Sequence, residues 1–403
     1  MRSRILIISI IGFINNVFAQ TAYVTNSTDN TLSVIDIATN NIVTTINVGN
    51  TPSGVEVIEN GTKVFFTNRN NNTISIIETV NNTVTNTISV GNLPIAICSN
   101  AVGNKIYVSN NGGGSVSVIN IATNNVIATI PVFTNPRGLV MHPDETKVYV
   151  AGFTNFVAVL DAITDTVSTY ISLGANTSPQ GIAISPDGSL LYVATLGSDT
   201  VTIVDTMTNS VIDTIAVGDA PHGINFTPDG SKIYVSNAWE DTVSVIDAAT
   251  NSVINTISVG DNPIGISFDP DGSRCFVTNA LENTVNIIDT DLEIVIGTIT
   301  VGNGPVAFGN FISPYEQPLS ITSYVNESDI LIYPNPSNGK FTIENNLLIS
   351  FKLEIYDTVG KCIYTTDLSS SKTTIDLSPM SKGIYLLKIN SEKGILNKKI
   401  IIQ

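Results

Sequence analysis

Two histidines, three cysteines and no clustered pair of either are the raw material for chemistry in this chain. Metal coordination needs ligands gathered at short spacing, and neither C-x-x-C nor H-x-x-H occurs. "DPDGS" at 269–273 resembles the start of a calcium loop but lacks the remaining ligands. "NGGGS" from Asn111 has no following lysine to make it a phosphate loop, and no G-x-S-x-G elbow is present. No catalytic residue, metal or cofactor is therefore assigned. Three polar residues do stand out by spacing: Arg137, Gln180 and His222 each directly follow a proline, 43 and 42 residues apart. Phe153 and Trp239, the one tryptophan, lie 16 and 17 residues beyond Arg137 and His222. Aromatic rings with a few polar groups suit a ligand or partner patch for sugars or peptides.

That spacing belongs to the whole chain. "YVSN" at Tyr234 has counterparts at Tyr23, Phe65, Tyr107, Tyr149, Tyr192 and Phe276, at intervals of 42 residues with a single 43. A proline keeps the same phase at Pro52, Pro94, Pro136, Pro179, Pro221, Pro263 and Pro305, and the extra residue is expected in the loop "GANTSP". Each unit reads as four short alternating strands separated by Pro-Asp-Gly and Thr-Asn turns, as in "HGINF", "KIYVSN", "TVSVID" and "VINTISV". Four strands in about 42 residues describe a β-propeller blade, which must pack against neighbours on both faces. The domain begins with a second strand, "AYVTN", and ends with a first strand, "GPVAFGNF". The fold class expected is all-β: a seven-bladed β-propeller closed by three N-terminal strands plus one C-terminal strand, followed by a small Ig-like β-sandwich.

In this frame the residue after each repeat proline begins an innermost strand, at the mouth of the central channel. Four blades carry Ser53, Ile95, Ile264 and Val306 there, so Arg137, Gln180 and His222 break the rule on three consecutive blades. The loop between second and third strands opens on the same face and varies at Arg69, Phe153, Phe156, Leu196, Trp239 and Leu281. His142 lies in a turn on the opposite face and is read as structural, and the three cysteines as small buried hydrophobes. Asp-Thr pairs at 165, 199, 205, 213 and 241 resemble the Bacteroidetes O-glycosylation motif, but they also open strands or turns of the repeat.

The units "KIYVSN…DTVSVIDAATNSVINTISVGDNPIGISFDPDGS" resemble the YVTN β-propeller repeat family over roughly Ala22 to Phe311. The resemblance implies a secreted or surface propeller. It does not imply one reaction, because related propellers include lactonase-like enzymes, surface-layer proteins and adhesive modules.

After Phe311 the period stops. "YPNPSNGKF", "IYDTVGK", "GIYLLKI" and "KGILNKKIII" are similar to the type A C-terminal sorting domain of the Bacteroidetes type IX secretion system. The residues that carry this are Tyr333, Pro334, Asn335 and Pro336, then Gly383 and Tyr385, then Gly394, Lys398 and Lys399. The resemblance implies the type IX translocon and its sorting protease as partners. At the other end, Arg2, Arg4, the apolar run "ILIISIIGFI" and "VFA" before Gln20 form a signal peptide. The division expected is 1–19 signal peptide, 20–312 propeller, 313–329 linker and 330–403 sorting domain, with no transmembrane span once the signal is cleaved.

Charge narrows the partners. Residues before Asp329 sum to −18 and the remainder to +2, within a total of −16. Nucleic acid is excluded as a partner, since neutralising phosphates needs a basic face. The function expected is a secreted or cell-surface binding or adhesion module that reaches its place through the periplasm. Its ligand would be a glycan, peptide or surface protein, bound by Arg137, Gln180, His222, Trp239 and Phe153. The alternatives are a lactonase-like hydrolytic propeller, with His222 as base and Arg137 as oxyanion or carboxylate binder, and a structural surface-layer component.

Overall fold

The structure is a computed structural model that describes residues 18–58, 61–100, 103–313, 317–318, 330–345, 351–357, 361–368, 370–391 and 394–403. The expected signal peptide, save Phe18 and Ala19, and most of the expected linker lie outside these residues. The chain forms two compact units, residues 1–319 and 320–403.

The first unit is a seven-bladed propeller. Six blades are four-stranded antiparallel sheets whose strands follow chain order from the axis outward. In blade 6 these are Pro221–Phe226, Lys232–Asn237, Thr242–Asp247 and Ser252–Ser258. The second and third strands are buried on both faces, which is why they read as β-branched runs. Blade 1 holds Thr21–Asn26, Thr31–Asp36 and Asn41–Asn47. Its innermost edge is closed by residues 304–313: Tyr23 N–H donates to the Phe311 carbonyl at 2.7 Å, and Val306 N–H to the Thr25 carbonyl at 3.0 Å. This is the three-plus-one closure. The closing segment makes isolated bridges, such as Ala22 with Ile312, because Ala307 and Gly309 take positive φ (42° and 131°) and interrupt the ladder.

Three repeated contacts hold the ring. Tyr23, Phe65, Tyr107, Tyr149, Tyr192, Tyr234 and Phe276 are each at most 1% exposed, and rings meet across blades, as in Tyr192 edge-on to Phe226 at 5.2 Å. Each such side chain contributes about 1.5–3 kcal/mol by burial. The innermost strands approach so closely that Gly138, Gly181 and Gly223 have no room for a side chain. A Cβ there would lie 2.6, 2.3 and 2.0 Å from the next blade's carbonyl oxygen. Finally, the asparagine ending "YVSN" or "YVTN" clamps its own hairpin: Asn237 Nδ2 donates to Thr242 Oγ1 and Ser244 Oγ, both at 2.9 Å. Its side chain lies against Gly218 of the incoming loop, where a Cβ would meet it at 2.5 Å.

Blade 4 departs from this clamp by exchanging the two partners' sizes. The asparagine position is Gly152 and the loop glycine is Phe133, whose ring lies 1.8 Å from where a Gly152 Cβ would be. Blade 4 also has a second-to-third-strand loop of three residues, 153–155, against four in blade 6. The loop after it, 173–178, is two residues longer than its siblings, so the 43-residue interval sums two changes rather than one insertion.

The second unit is a small sandwich. One sheet holds Ile330–Tyr333, Lys340–Asn345 and Lys372–Asp376. The other holds Cys362–Leu368, Phe351–Tyr356, Gly383–Ser391 and Gly394–Ile402. Alternating residues such as Phe341, Ile343, Leu353, Ile355 and Leu387 fill the space between them. Cys98 and Cys275 are buried, but Cys362 is exposed, which corrects the expectation for it. It opens the edge strand next to a register shift at Ile355/Tyr356, so its side chain falls outside the core phase.

The exchange at blade 4 is testable by a double-mutant cycle in urea unfolding. G152N should cost about 1–3 kcal/mol by overpacking against Phe133. F133G/G152N should recover most of that, with a coupling of at least about 1 kcal/mol. Additive losses would show that the two positions do not compensate.

Candidate functional site

The channel mouth is built from two rings of residues on one face. The inner ring is the residue after each repeat proline. The outer ring is the first residue of each second-to-third-strand loop, held on six blades by its N–H to the loop entering the blade; on blade 5 the second residue, Gly197, makes that bond, donating to the Thr177 carbonyl at 3.0 Å. Arg69 N–H donates to the Thr51 carbonyl at 3.0 Å, Phe153 N–H to Asn135 at 3.2 Å and Ala238 N–H to Ala220 at 3.0 Å. Apart from the shorter 153–155 loop and the longer 173–178 loop, the blades therefore differ at the mouth in their side chains.

Arg137 lies with its guanidinium carbon 5.3 Å from the centre of the Phe153 ring, a cation–π contact. His222 packs edge-on to Phe308 of the closing segment at 5.2 Å. Arg137 and His222 are half-buried, yet Arg137 Nε and His222 Nδ1 are sealed from solvent with no hydrogen-bond partner. Arg69 Nε is in the same condition. Burial, and then the neighbouring Arg69 charge, lower the proton affinity of Arg137. Burial, and then the Arg137 charge, push His222 down to about 3, so its ring is neutral at physiological pH.

The other two candidates stand apart from this group. Gln180 is 1% exposed and donates to the Ser178 carbonyl at 3.4 Å, so it buttresses the long 173–178 loop. Trp239 is 69% exposed on the loop of blade 6, with Leu281 of blade 7 similarly placed at 74%. No ring stack or cation contact joins Trp239 to Arg137, Phe153 or His222 among the described residues.

Beneath the mouth, the ring encloses a cavity of about 160 Å³ lined by Glu56, Cys98, Asn225, Phe308 and Asn310 among others. A second cavity of about 340 Å³ shares Asn225 and Asn310 and continues towards the opposite face. Glu56 is 6% exposed and accepts from Ser99 Oγ at 2.8 Å and from Ser99 N–H at 3.3 Å. Burial outweighs these bonds and pushes its carboxyl up to about 7. Sequence reasoning missed Glu56, although the signal was present. At the same strand position the other blades carry Cys98, Val140, Ala183, Asn225, Ser267 and Gly309.

Several polar residues elsewhere serve the fold. His142 Nε2 lies 3.1 Å from the Gly188 carbonyl of the next blade and Nδ1 2.7 Å from Asp144. Asp199 and Asp241 occupy left-handed turn positions (φ 53° and 56°) and accept the N–H of Ala220 and Asn262. Thr206 is buried against the Gly188 carbonyl, whereas Thr166 and Thr214 are exposed. Among the described residues no three of His, Cys, Asp and Glu are gathered as metal ligands, and no helix is long and apolar enough to cross a membrane.

In the second unit, Tyr333, Pro334, Asn335 and Pro336 run beside the end of the last strand. Asn335 Nδ2 donates to the Lys399 carbonyl at 2.7 Å, and its Oδ1 accepts the Ile401 N–H at 2.9 Å. One side-chain amide thus covers part of an otherwise open sheet edge. Gly383 and Gly394 begin the paired strands, and Lys398 and Lys399 face Leu387 and Leu386 in register. Tyr385 is buried and its hydroxyl donates to the Ser381 carbonyl at 2.7 Å. Residues 331–403 match the secretion system C-terminal sorting domain family. The tail is a type IX sorting domain. This sorting domain directs the protein out of the cell, to its surface or beyond, and engages the secretion machinery.

Residues 130–254 match the family of lactonase, 7-bladed β-propeller, a segment that contains Arg137, Phe153, Gln180, His222 and Trp239. No curated protein matches the chain. Among solved structures, hydrazine synthase from Kuenenia stuttgartiensis is 20% identical (TM-score 0.59, covering 79% of this chain and 96% of that one). A functionally unknown protein from Desulfotomaculum acetoxidans DSM 771 is 16% identical (TM-score 0.64, 72% and 99%). A candidate 6-phosphogluconolactonase from Bacteroides fragilis NCTC 9343 is 17% identical (TM-score 0.63, 72% and 97%). At these identities the likeness is one of fold.

The two buried titrations act in opposite senses. Glu56 holds its proton to about 7 when folded but releases it near 4.5 when unfolded, so its contribution falls as pH rises between those values. His222 stays neutral down to about 3 when folded but takes a proton below 6.5 when unfolded, so its contribution falls as pH drops from 6.5. E56Q should therefore be more stable than wild type at pH 8, by roughly 1–3 kcal/mol, and little changed at pH 4. Equal stability of the two proteins at pH 8 would contradict a neutralised Glu56.

Proposed function

We propose that the protein is an exported binding module whose recognition surface is the channel mouth on the Trp239 face. The carrying observation is the group of Arg137, Phe153 and His222. Arg137 Nε and His222 Nδ1 are unpartnered and sealed, at positions where other blades carry Ile95, Ile264 and Val306, and Phe153 lies against Arg137. An unpartnered polar group held partly out of water costs free energy, which a ligand can offset by meeting the parts of Arg137 and His222 that stay exposed. Exposed Trp239 and Leu281 extend the surface outward as aromatic and apolar contacts for a glycan, peptide or surface protein. In this reading the sorting protease removes the tail, and the propeller acts in adhesion at the surface.

A second reading is favoured by the lactonase match over 130–254. A hydrolytic propeller would use a general base near the mouth. An imidazole that protonates only near 3 is a weak one, since a base works best with a pKa near the operating pH. Hydrolysis by this chain would then depend on another group, and Glu56 is the carboxyl that lines the cavity beneath the mouth.

The test is an array of glycans, peptides and metabolites probed with the full-length protein. Saturable binding should drop at least tenfold in H222A/W239A without loss of fold. Binding that is unchanged in that variant would sink the mouth as the recognition surface. Turnover of a lactone panel that disappears in E56Q but survives in H222A/W239A would favour the second reading.

A further inference from the structure

The face that carries the mouth is electrically divided. Its loops on blades 5 to 7 and 1 carry many carboxylates, Asp29, Asp219, Glu240, Asp261 and Glu282 among them. Its loops on blades 2 to 4, which read "VGNT", "RNNN", "VGNL", "NGGG", "VFTN" and "FTN", have no acidic residue at all. That same sector holds Arg69 and Arg137.

These two arginines are treated unlike every other cation of the propeller. Lys105 pairs with Asp165 at 2.9 Å, Lys232 with Glu293 at 2.6 Å and Arg274 with Asp269 at 2.9 Å. Lys147 reaches the Thr206 carbonyl at 3.5 Å, and Lys63 also has a partner. Among the described residues no hydrogen bond or ion pair is made by the side chain of Arg69 or Arg137, and the Nε of each is shut off from water. Arg69 is close enough for its charge to disfavour that of Arg137. A body with a net charge near −18 has carboxylates to spare, yet none is placed here. Half-buried guanidinium groups without a counter-ion are costly, and a planar fork of donors matches a carboxylate or phosphate.

We propose that the sector of the mouth over blades 2 to 4 is a binding site for a small organic anion. Arg69 and Arg137 meet its negative group, and Phe153 and Ile95 meet its apolar body. Ile95 occupies the inner ring on blade 3, between the blades of the two arginines, and is 7% exposed. Phe153 is 42% exposed and already holds Arg137 in position from one side. The inference rests on the binding-module reading and supplies the class of its ligand.

The experiment is calorimetric titration of the full-length protein, at constant ionic strength, with phenylacetate, phenyl phosphate and the neutral isostere phenylacetamide. At least one anion should bind saturably and the amide at least tenfold more weakly. Phenylacetate alone would assign a carboxylate ligand, phenyl phosphate alone a phosphate, and both together a general anion site. R69Q and R137Q should each weaken binding at least tenfold, whereas R137K, which keeps the charge, should lose less than R137Q. Melting curves of all three check that they fold. Failure of both anions to bind, equal binding of the amide, or an R69Q/R137Q protein with wild-type affinity would overturn the inference. An array ligand lost in H222A/W239A but not displaced by either anion would overturn it while leaving the binding-module reading in place. Saturable phenylacetate binding with a blank array would do the reverse.

Discussion

Seven innermost strands meet around one axis so closely that one position in each takes nothing larger than a methyl group, and the rest of the propeller follows from that crowding. Gly54, Gly138, Gly181, Gly223 and Gly265 stand where a Cβ would lie 2.0–2.6 Å from a carbonyl of the next blade. Blades 3 and 1 admit alanine there, Ala96 and Ala307, and no larger residue occurs. Such close approach fixes the mutual tilt of the blades and leaves the large Tyr and Phe side chains further out to fill the widening wedge between sheets. It also fixes where chemistry can occur. Side chains can project only just above the glycine layer, where Arg137 and His222 lie, or just below it, where Glu56 lies.

Most charge in the propeller is spent on architecture. Asp187, Asp229 and Asp247 accept N–H and hydroxyl bonds within their own turns, which lower their pKa values. Folded values below unfolded ones mean that this support is complete above the ordinary carboxylate range and is lost as pH falls through it. Cations strap adjacent blades on the face opposite the mouth, and Arg274 completes the circuit by donating to the Ile37 carbonyl of blade 1 at 2.6 Å. The acidity of the molecule is therefore a property of its turns. Against that background, two arginines with no counter-ion among the described residues are informative in a way that the net charge is not.

The period of the tyrosines and prolines made the fold legible, down to the closing segment, because each blade must repeat one set of contacts to bury its faces. The inner ring of the mouth was legible for the same reason: a repeat predicts its own residues, so Arg137 and His222 stand out. What the period could not reveal were contacts that pair two departures. Phe133 with Gly152 looks like two unrelated substitutions until the loop is laid over the strand. Arg69 was visible as a variable loop residue, but its relation to Arg137, two blades away, depends on how the ring curves. Gln180 broke the rule as plainly as its neighbours, yet its side chain turned inward to brace a longer loop. Trp239 marked an exposed rim, apart from the cluster that its blade shares through His222.

In the proposed binding module, the mouth keeps residues which weaken the ring because they serve recognition. Stability of a propeller returned to its own repeat measures this most directly. Arg137→Ile and His222→Ile together restore the residue type of blades 3 and 7. If the charged and sealed groups are carried at a cost to folding, the reverted protein should unfold at a higher urea concentration than wild type. An equal or lower midpoint would mean that Arg137 and His222 stabilise the ring as they stand, and that no ligand is needed to explain them.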